Sequence, residues 1–356
     1  MTSTVGTCLE RRAYQGPQLF AAHPPALRNA NKRTVFEWLK PEHFARGTLQ
    51  YSRWAERPWP HVVPSQAPLI TVHPGVFDYA GPSDGVWHVN FADPELFCAY
   101  GSSLLAQDEL QVLEHPVLAC LREALVAEGL PAVTAEGDRA TPVLVTHVPR
   151  AAALDTTAGP ERLSGLYGNQ FARASVEELQ AALTIFNEPA LTNLLAIAAP
   201  SGGRGRYQRQ QFDYIVRTEF TGFAAAREES ARLWPGAPVD IRTGFWGCGA
   251  FGGNRTVMIA LQVLAAQLAG IEVGLRRHAL GQQRADQLGR HVLAERAQPL
   301  PHLHQRRREP VELAQARRDL AHALGLEGLD VAQLARHLAQ RADDQPVRQQ
   351  HGDAGD

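Results

Sequence analysis

Cysteine, lysine and net charge are all scarce in this chain. Four cysteines stand in 356 residues (Cys8, Cys98, Cys120 and Cys248), far apart and without a CxxC pair. That excludes a disulfide scaffold and a cysteine-built zinc site and fits a reducing compartment, so a cytoplasmic protein without a bound metal is expected. The formal charge of −2 is too small for wholesale electrostatic binding of nucleic acid. No stretch approaches the ~18 apolar residues of a membrane helix. The N-terminal stretch carries Glu10, Arg11 and Arg12 where a signal peptide would have its apolar core, so neither membrane nor export is expected. Of 35 basic residues only Lys32 and Lys40 are lysine, which reflects a GC-rich, bacterial genome rather than a physical demand. What the chain does have is apolar content: 44% hydrophobic against 20% charged, enough for a sizeable core in roughly two domains, or one domain with extensions.

Residues 1–80, rich in proline and aromatics, predict an irregular N-terminal accessory segment that lies as a lid or packing layer on the rest. The turn string Gly81-Pro82-Ser83-Asp84-Gly85 opens the main unit, 81–280. Within it, apolar runs at 86–91, 142–148, 194–198, 239–243 and 271–275 predict strands. Periodic stretches at 104–129 (broken near His115-Pro116), 208–227 and 256–268 predict helices, as does 175–187 behind the capping pair Ser175 and Glu178. The alternation predicts α/β layers. Residues 281–310 predict a linker, 311–342 a helical tail able to dock a partner or pack back on the domain, and 343–356 disorder.

Between the strand at 239–243 and the helix at 256–268 lies Gly244-Phe245-Trp246-Gly247-Cys248-Gly249-Ala250-Phe251-Gly252-Gly253, with five glycines in ten positions. Glycine this dense lets backbone come close to a ligand or turn through positive φ. A glycine loop between strand and helix presents N–H groups to phosphate, which points to a nucleotide-like ligand. Other motifs carry less. The formal GxSxG at 81–85 has its strand after the serine rather than before it, which excludes the hydrolase elbow. Ser201 to Arg206 fits a surface loop, and His302 and His304 sit in the linker without matching metal ligands.

The loop resembles that of the poly(ADP-ribose) glycohydrolase family, Gly-Asn-Trp-Gly-Cys-Gly-Ala-Phe-Gly-Gly-Asp, and departs from it at Phe245 and Asn254. Further family motifs recur in order. Val89-Asn90-Phe91-Ala92-Asp93 is similar to its Val-Asp-Phe-Ala-Asn strand and Gln107-Asp108-Glu109 to its Gln-Glu-Glu. His115-Pro116-Val117-Leu118 is similar to its Asn-Pro-Glu-Leu, Leu194 to Ala198 to its Ile-Val-Ala-Ile-Asp strand, and Thr221-Gly222-Phe223 to its Cys-Gly-Phe. The likeness spans roughly 86–278.

The resemblance implies a macrodomain, an α/β fold with a mixed sheet and flanking helices, here with an irregular N-terminal extension and a helical C-terminal tail. It implies hydrolysis of an ADP-ribosyl O-glycosidic bond in poly- or mono-ADP-ribose, on protein or nucleic acid, with no cofactor and no metal. Glu109 would be the general acid and then the base across an oxocarbenium-like state. Asp108 would orient the ribose and raise the pKa of its neighbour. Substrate contacts would come from Asn90, Asp93 and Gln107. Gly247, Cys248, Gly249, Ala250, Phe251 and Gly252 would hold the diphosphate and ribose. Asn169 would fall at the adenine-stacking position, with Tyr167 two residues away as a substitute. Where the family has three glycines this chain has Phe97-Cys98-Ala99, which should narrow or reshape the diphosphate site. A second function therefore stays open: a macrodomain that binds ADP-ribose or another nucleotide without cutting it. Retention of Glu109 favours hydrolysis.

Overall fold

The apolar runs in the middle of the chain become the centre of an eight-stranded sheet. The structure, a computed structural model, describes residues 6–40, 44–58, 70–74, 79, 83–159, 163–201 and 207–277. The strands are β1 Cys8–Gln15, β2 Thr48–Trp54, β3 Ile70–Pro74, β4 Val86–Ala92, β5 Ala135–Glu136, β6 Arg139–Ala140, β7 Val143–Leu154, β8 Leu183–Ala198, β9 Asp240–Thr243 and β10 Glu272–Arg277. The helices are α1 Gly16–Ala22, α2 Ala30–Trp38, α3 Gln107–Glu114, α4 Val117–Ala127, α5 Val176–Ala182, α6 Arg209–Leu233 and α7 Arg255–Ala269, with a 3-10 turn at Gly168–Arg173. β5 and β6 pair only with each other, and the large sheet runs β1-β2-β7-β8-β4-β9-β10-β3. β4 is parallel to β8 and β9, and β10 to β9 and β3; β1-β2, β2-β7 and β7-β8 are antiparallel. The sheet is therefore mixed, with β8 as the seam.

Side chains alternate across the strands, and at the centre of the sheet both sides are buried. On β8, Leu194 and Ala196 enter one core with α1 to α5, while Leu195 and Ile197 enter the other with α6 and α7. A strand covered on both faces reads as continuous apolar sequence, which is how 194–198 reads. The expected break at His115-Pro116 separates α3 from α4, because the residue before proline leaves the helical region. The helix behind Ser175 is shorter than expected. Its capping box forms, with Glu178 Oε2 accepting from the Ser175 N–H at 2.8 Å, but it ends at Ala182. Leu183-Thr184-Ile185-Phe186 then joins β8 against β7, as β-branched and aromatic residues favour.

The N-terminal extension is more regular than its composition suggests. β1 and β2 lengthen the sheet beside β7, and Leu19, Val35, Phe44, Leu49 and Tyr51 belong to the same core as α3 and α4. The division drawn at residue 80 thus runs through one sheet. The expected linker, helical tail and disordered end lie outside the described residues. Among the described residues no helix is long and apolar enough to cross a membrane.

Candidate functional site

β4, β8 and β9 are parallel neighbours whose carboxyl ends meet at one edge of the sheet. The chain leaving β4 forms α3 on one face; the chains leaving β8 and β9 form α6 and α7 on the other. Such a switch opens a crevice at the strand ends, the usual ligand site of open α/β sheets. Here it is a cavity of about 610 Å³, within the size range of small-molecule sites.

One part of its wall is the glycine loop. Trp246 is fully buried, and its indole N–H donates to the Ile197 carbonyl at 2.9 Å, pinning the loop to the end of β8. Gly247 lies at φ +69°, and a Cβ there would stand 2.5 Å from the Cβ of Ala199. The Gly253 N–H closes the loop on the Gly247 carbonyl at 2.8 Å. The N–H groups of Gly249, Ala250 and Phe251 have no acceptor among the described residues, and all three residues line the cavity. α7 begins just beyond, with Asn254 Oδ1 accepting from the Val257 N–H at 3.1 Å.

The facing part is the first turn of α3. Gln107 fastens it to β4: its Oε1 accepts from the Phe91 N–H at 2.7 Å and its Nε2 donates to the Val89 carbonyl at 3.1 Å. Glu109 Oε2 accepts from the Ala106 N–H at 2.8 Å, which is half a capping box; alanine has no side-chain acceptor to make the other half. Asp108 Oδ1 accepts from Asn90 Nδ2 at 2.9 Å. Both carboxyls are about 5% exposed or less. Burial raises the pKa of Asp108, the adjacent Glu109 charge adds to the rise, and the Asn90 bond opposes it. Burial also raises Glu109, against the pull of backbone N–H groups and of the Lys32 ammonium. Two acids that resist ionisation on one helical turn are suited to proton transfer near neutral pH.

Asp93, Gln107, Asp108 and Glu109 line the cavity together with Gly247, Cys248, Gly249, Ala250 and Phe251. Three expected residues do not. Asn90 is fully buried behind Asp108, whose carboxyl it holds through Nδ2. Gly252 faces away, bonding through its N–H to the Gly249 carbonyl. Asn169 sits on the 3-10 turn outside the cavity, whereas Tyr167 enters the wall. At the missing triple glycine, Phe97 turns into the core and leaves Cys98 and Ala99 at the wall. Burial holds the Cys98 thiol up at about 11 and that of Cys248 at about 12. Both are thiols at neutral pH and poor nucleophiles.

Sequence reasoning missed the rest of the wall. Glu114 and Arg150 pair at 2.8 Å, with the guanidinium 4.3 Å from the Tyr79 ring centre. Arg255 stacks over Phe245 at 4.7 Å. Both of those residues depart from or follow the family-like string, which was the one available signal; nothing local marks Arg150 or Tyr79. Lys32, fully buried on α2, was also unmarked. Among the described residues no three His, Cys, Asp or Glu side chains gather as metal ligands would.

Residues 165–284 match the family described as Poly (ADP-ribose) glycohydrolase (PARG), Macro domain fold. The matched span includes the glycine loop and leaves out β4 and α3. Among solved structures, the chain is similar to poly(ADP-ribose) glycohydrolase from Thermomonospora curvata bound to the inhibitor ADP-HPD. Identity is 15% over 79% of this chain and 84% of that one, with a TM-score of 0.39. It is also similar to the Deinococcus radiodurans enzyme in complex with ADP-ribose, at 12% identity over 80% and 94%, with a TM-score of 0.36. No curated protein matches the chain.

Proposed function

We propose that this protein hydrolyses the O-glycosidic bond at the ribose of an ADP-ribosyl group, in poly- or mono-ADP-ribose carried by protein or nucleic acid. One observation carries the reading: two buried acids on the first turn of α3 share a cavity with the amides of Gly249 to Phe251, which have no acceptor among the described residues. Glu109, whose ionisation burial disfavours, gives its proton to the departing oxygen as positive charge grows on the ribose. The carboxylate so formed then takes a proton from the attacking water. Asp108, held by Asn90, orients the ribose hydroxyls. Those amides, in the loop just before α7, receive the diphosphate, helped by the positive end of that helix. Phe251 packs against the ribose, and the few, widely spaced cysteines favour a reducing compartment such as the cytoplasm.

The side chains of Cys98 and Ala99 in the wall favour a second reading, a binder of ADP-ribose or a related nucleotide that does not cut. Incubation with poly(ADP-ribose) and with mono-ADP-ribosylated protein and DNA, following free ADP-ribose, separates the two. Hydrolysis predicts release that Glu109→Gln lowers by about 10²- to 10⁴-fold with ADP-ribose binding retained. Binding without release, the same in Glu109→Gln, would establish the binder. Neither binding nor release would overturn both.

A further inference from the structure

We propose that Lys32 is a positioning residue of this site, the buried counter-cation of the Asp108–Glu109 pair. The inference rests on reading those two acids as the reacting pair.

α2 is fixed where it can play this part. Asn29 Oδ1 accepts from the Lys32 N–H at 3.1 Å and starts the helix. Asn31 Nδ2 donates to the carbonyls of Phe171 and Ala174, at 2.7 and 3.0 Å, tying α2 to the 3-10 turn. α2 packs on that turn, on α5 and on α3. Lys32 itself is 0% exposed. Its ammonium lies 5.4 Å from the centre of the Phe171 ring and makes no hydrogen bond among the described residues.

A buried ammonium without hydrogen bonds is costly and survives only beside negative charge. The charges acting on Lys32 are those of Glu109 and Asp108, which oppose the effect of burial; burial still brings its pKa down to about 8. Seen from the acids, Lys32 is the cation that favours ionisation of both. Among the described residues no other cation acts on both acids. Asp93, at the end of β4, adds a like charge to each. Cys98 is held as a neutral thiol, and the Tyr167 hydroxyl is raised by burial and by Glu109. Arg150, from β7 at the far end of α3, is already paired with Glu114. Without Lys32 the pair would be two desolvated acids facing a third, with no cation to let either release a proton. A lysine kept only to fill space would be replaced by methionine at no cost to titration.

The test uses the full chain labelled with ¹³C at Asp and Glu carboxyls and at Lys Cε, titrated by NMR without substrate. Asp108→Asn and Glu109→Gln assign the signals. In Lys32→Met both carboxyls should titrate higher by about one pH unit or more, because the charge favouring their ionised forms is gone. Linkage is reciprocal, so Glu109→Gln should lower the titration of Lys32 itself; this arm needs no change at Lys32 and stands even if Lys32→Met folds poorly. In the release assay the alkaline limb of the rate profile should move up with the acid's pKa. Unmoved carboxyls in Lys32→Met, or an unmoved Lys32 in Glu109→Gln, would overturn the assignment. If no protein releases ADP-ribose, the hydrolase reading fails, while the titrations still decide the role of Lys32.

Discussion

Phe97 holds its backbone at φ +54° with its ring fully buried. The left-handed region costs a residue with a Cβ roughly 1–2 kcal/mol, and glycine enters it freely. The backbone at 97 therefore holds a conformation that favours glycine, and the ring drawn into the core compensates. Removing a buried phenylalanine ring costs about 3–5 kcal/mol, more than the strain. Phe97→Gly is thus expected to destabilise despite relieving strain. Phe97→Ala, which loses the ring and keeps the strain, should be worse by about 1 kcal/mol. Urea denaturation of the pair checks this; an alanine variant more stable than the glycine variant would mean that the backbone is not held at positive φ. The resemblance implied glycines where Phe97-Cys98-Ala99 stand, but not that the first side chain would turn inward. Crowding of the site was expected for that reason. Glu219 poses the opposite problem. It is fully buried with neither oxygen hydrogen-bonded among the described residues, and burial alone pushes its carboxyl well up. A folded-state pKa above the unfolded one gives stability that is fully present below the unfolded value and is lost as pH rises through the folded one. Glu219→Met should therefore gain about 1–3 kcal/mol at pH 8, with a smaller change near pH 4, as denaturation at the two pH values would show.

At the scale of elements, two side chains act as clamps between a site segment and the sheet. Gln107 holds α3 to β4, and Trp246 holds the glycine loop to β8. Gln107→Met would remove the bonds to the Phe91 N–H and the Val89 carbonyl in a largely buried seam, an expected loss of about 2 kcal/mol. The start of α3, with Asp108 and Glu109, should loosen with it. ADP-ribose affinity measured by calorimetry should then fall while the overall fold persists; unchanged stability would mean the bonds to β4 carry little. Motif order alone suggested that Gln107 and Asn90 meet substrate. A sequence string marks a position without naming the partner of an amide; in the structure Gln107 bonds β4 through both amide atoms and Asn90 bonds Asp108 through Nδ2. The same limit explains Asn169 and Tyr167: the segment around them pairs in no regular strand, so no period fixed which side chain faces the cavity. Where period and capping did act, as in β4, α3, α4 and α7, the elements were legible to within a few residues.

At the scale of the molecule, the question is what the fold needs from its first eighty residues. Proline and aromatics made that segment look accessory, since pairing with β7, 90 to 96 residues later, leaves no local pattern. In the structure β2 lies against β7, and Leu19, Val35, Leu39, Phe44, Leu49 and Tyr51 fill the core beneath α3 and α4. Each large apolar side chain withdrawn from that core gives up roughly 1.5–3 kcal/mol. Six of them together match or exceed the 5–15 kcal/mol by which domains of this kind are stable. Their loss would also bare the edge of β7, a template for aggregation, and remove Lys32 from beside the acids. The fragment 81–280 is accordingly expected to lack the sharp urea transition of the full chain and to bind ADP-ribose weakly or not at all. Circular dichroism during denaturation and calorimetric titration of both proteins would check this. A fragment that unfolds cooperatively and binds like the full chain would restore the boundary at residue 80 and reduce the N-terminal strands to an appendage.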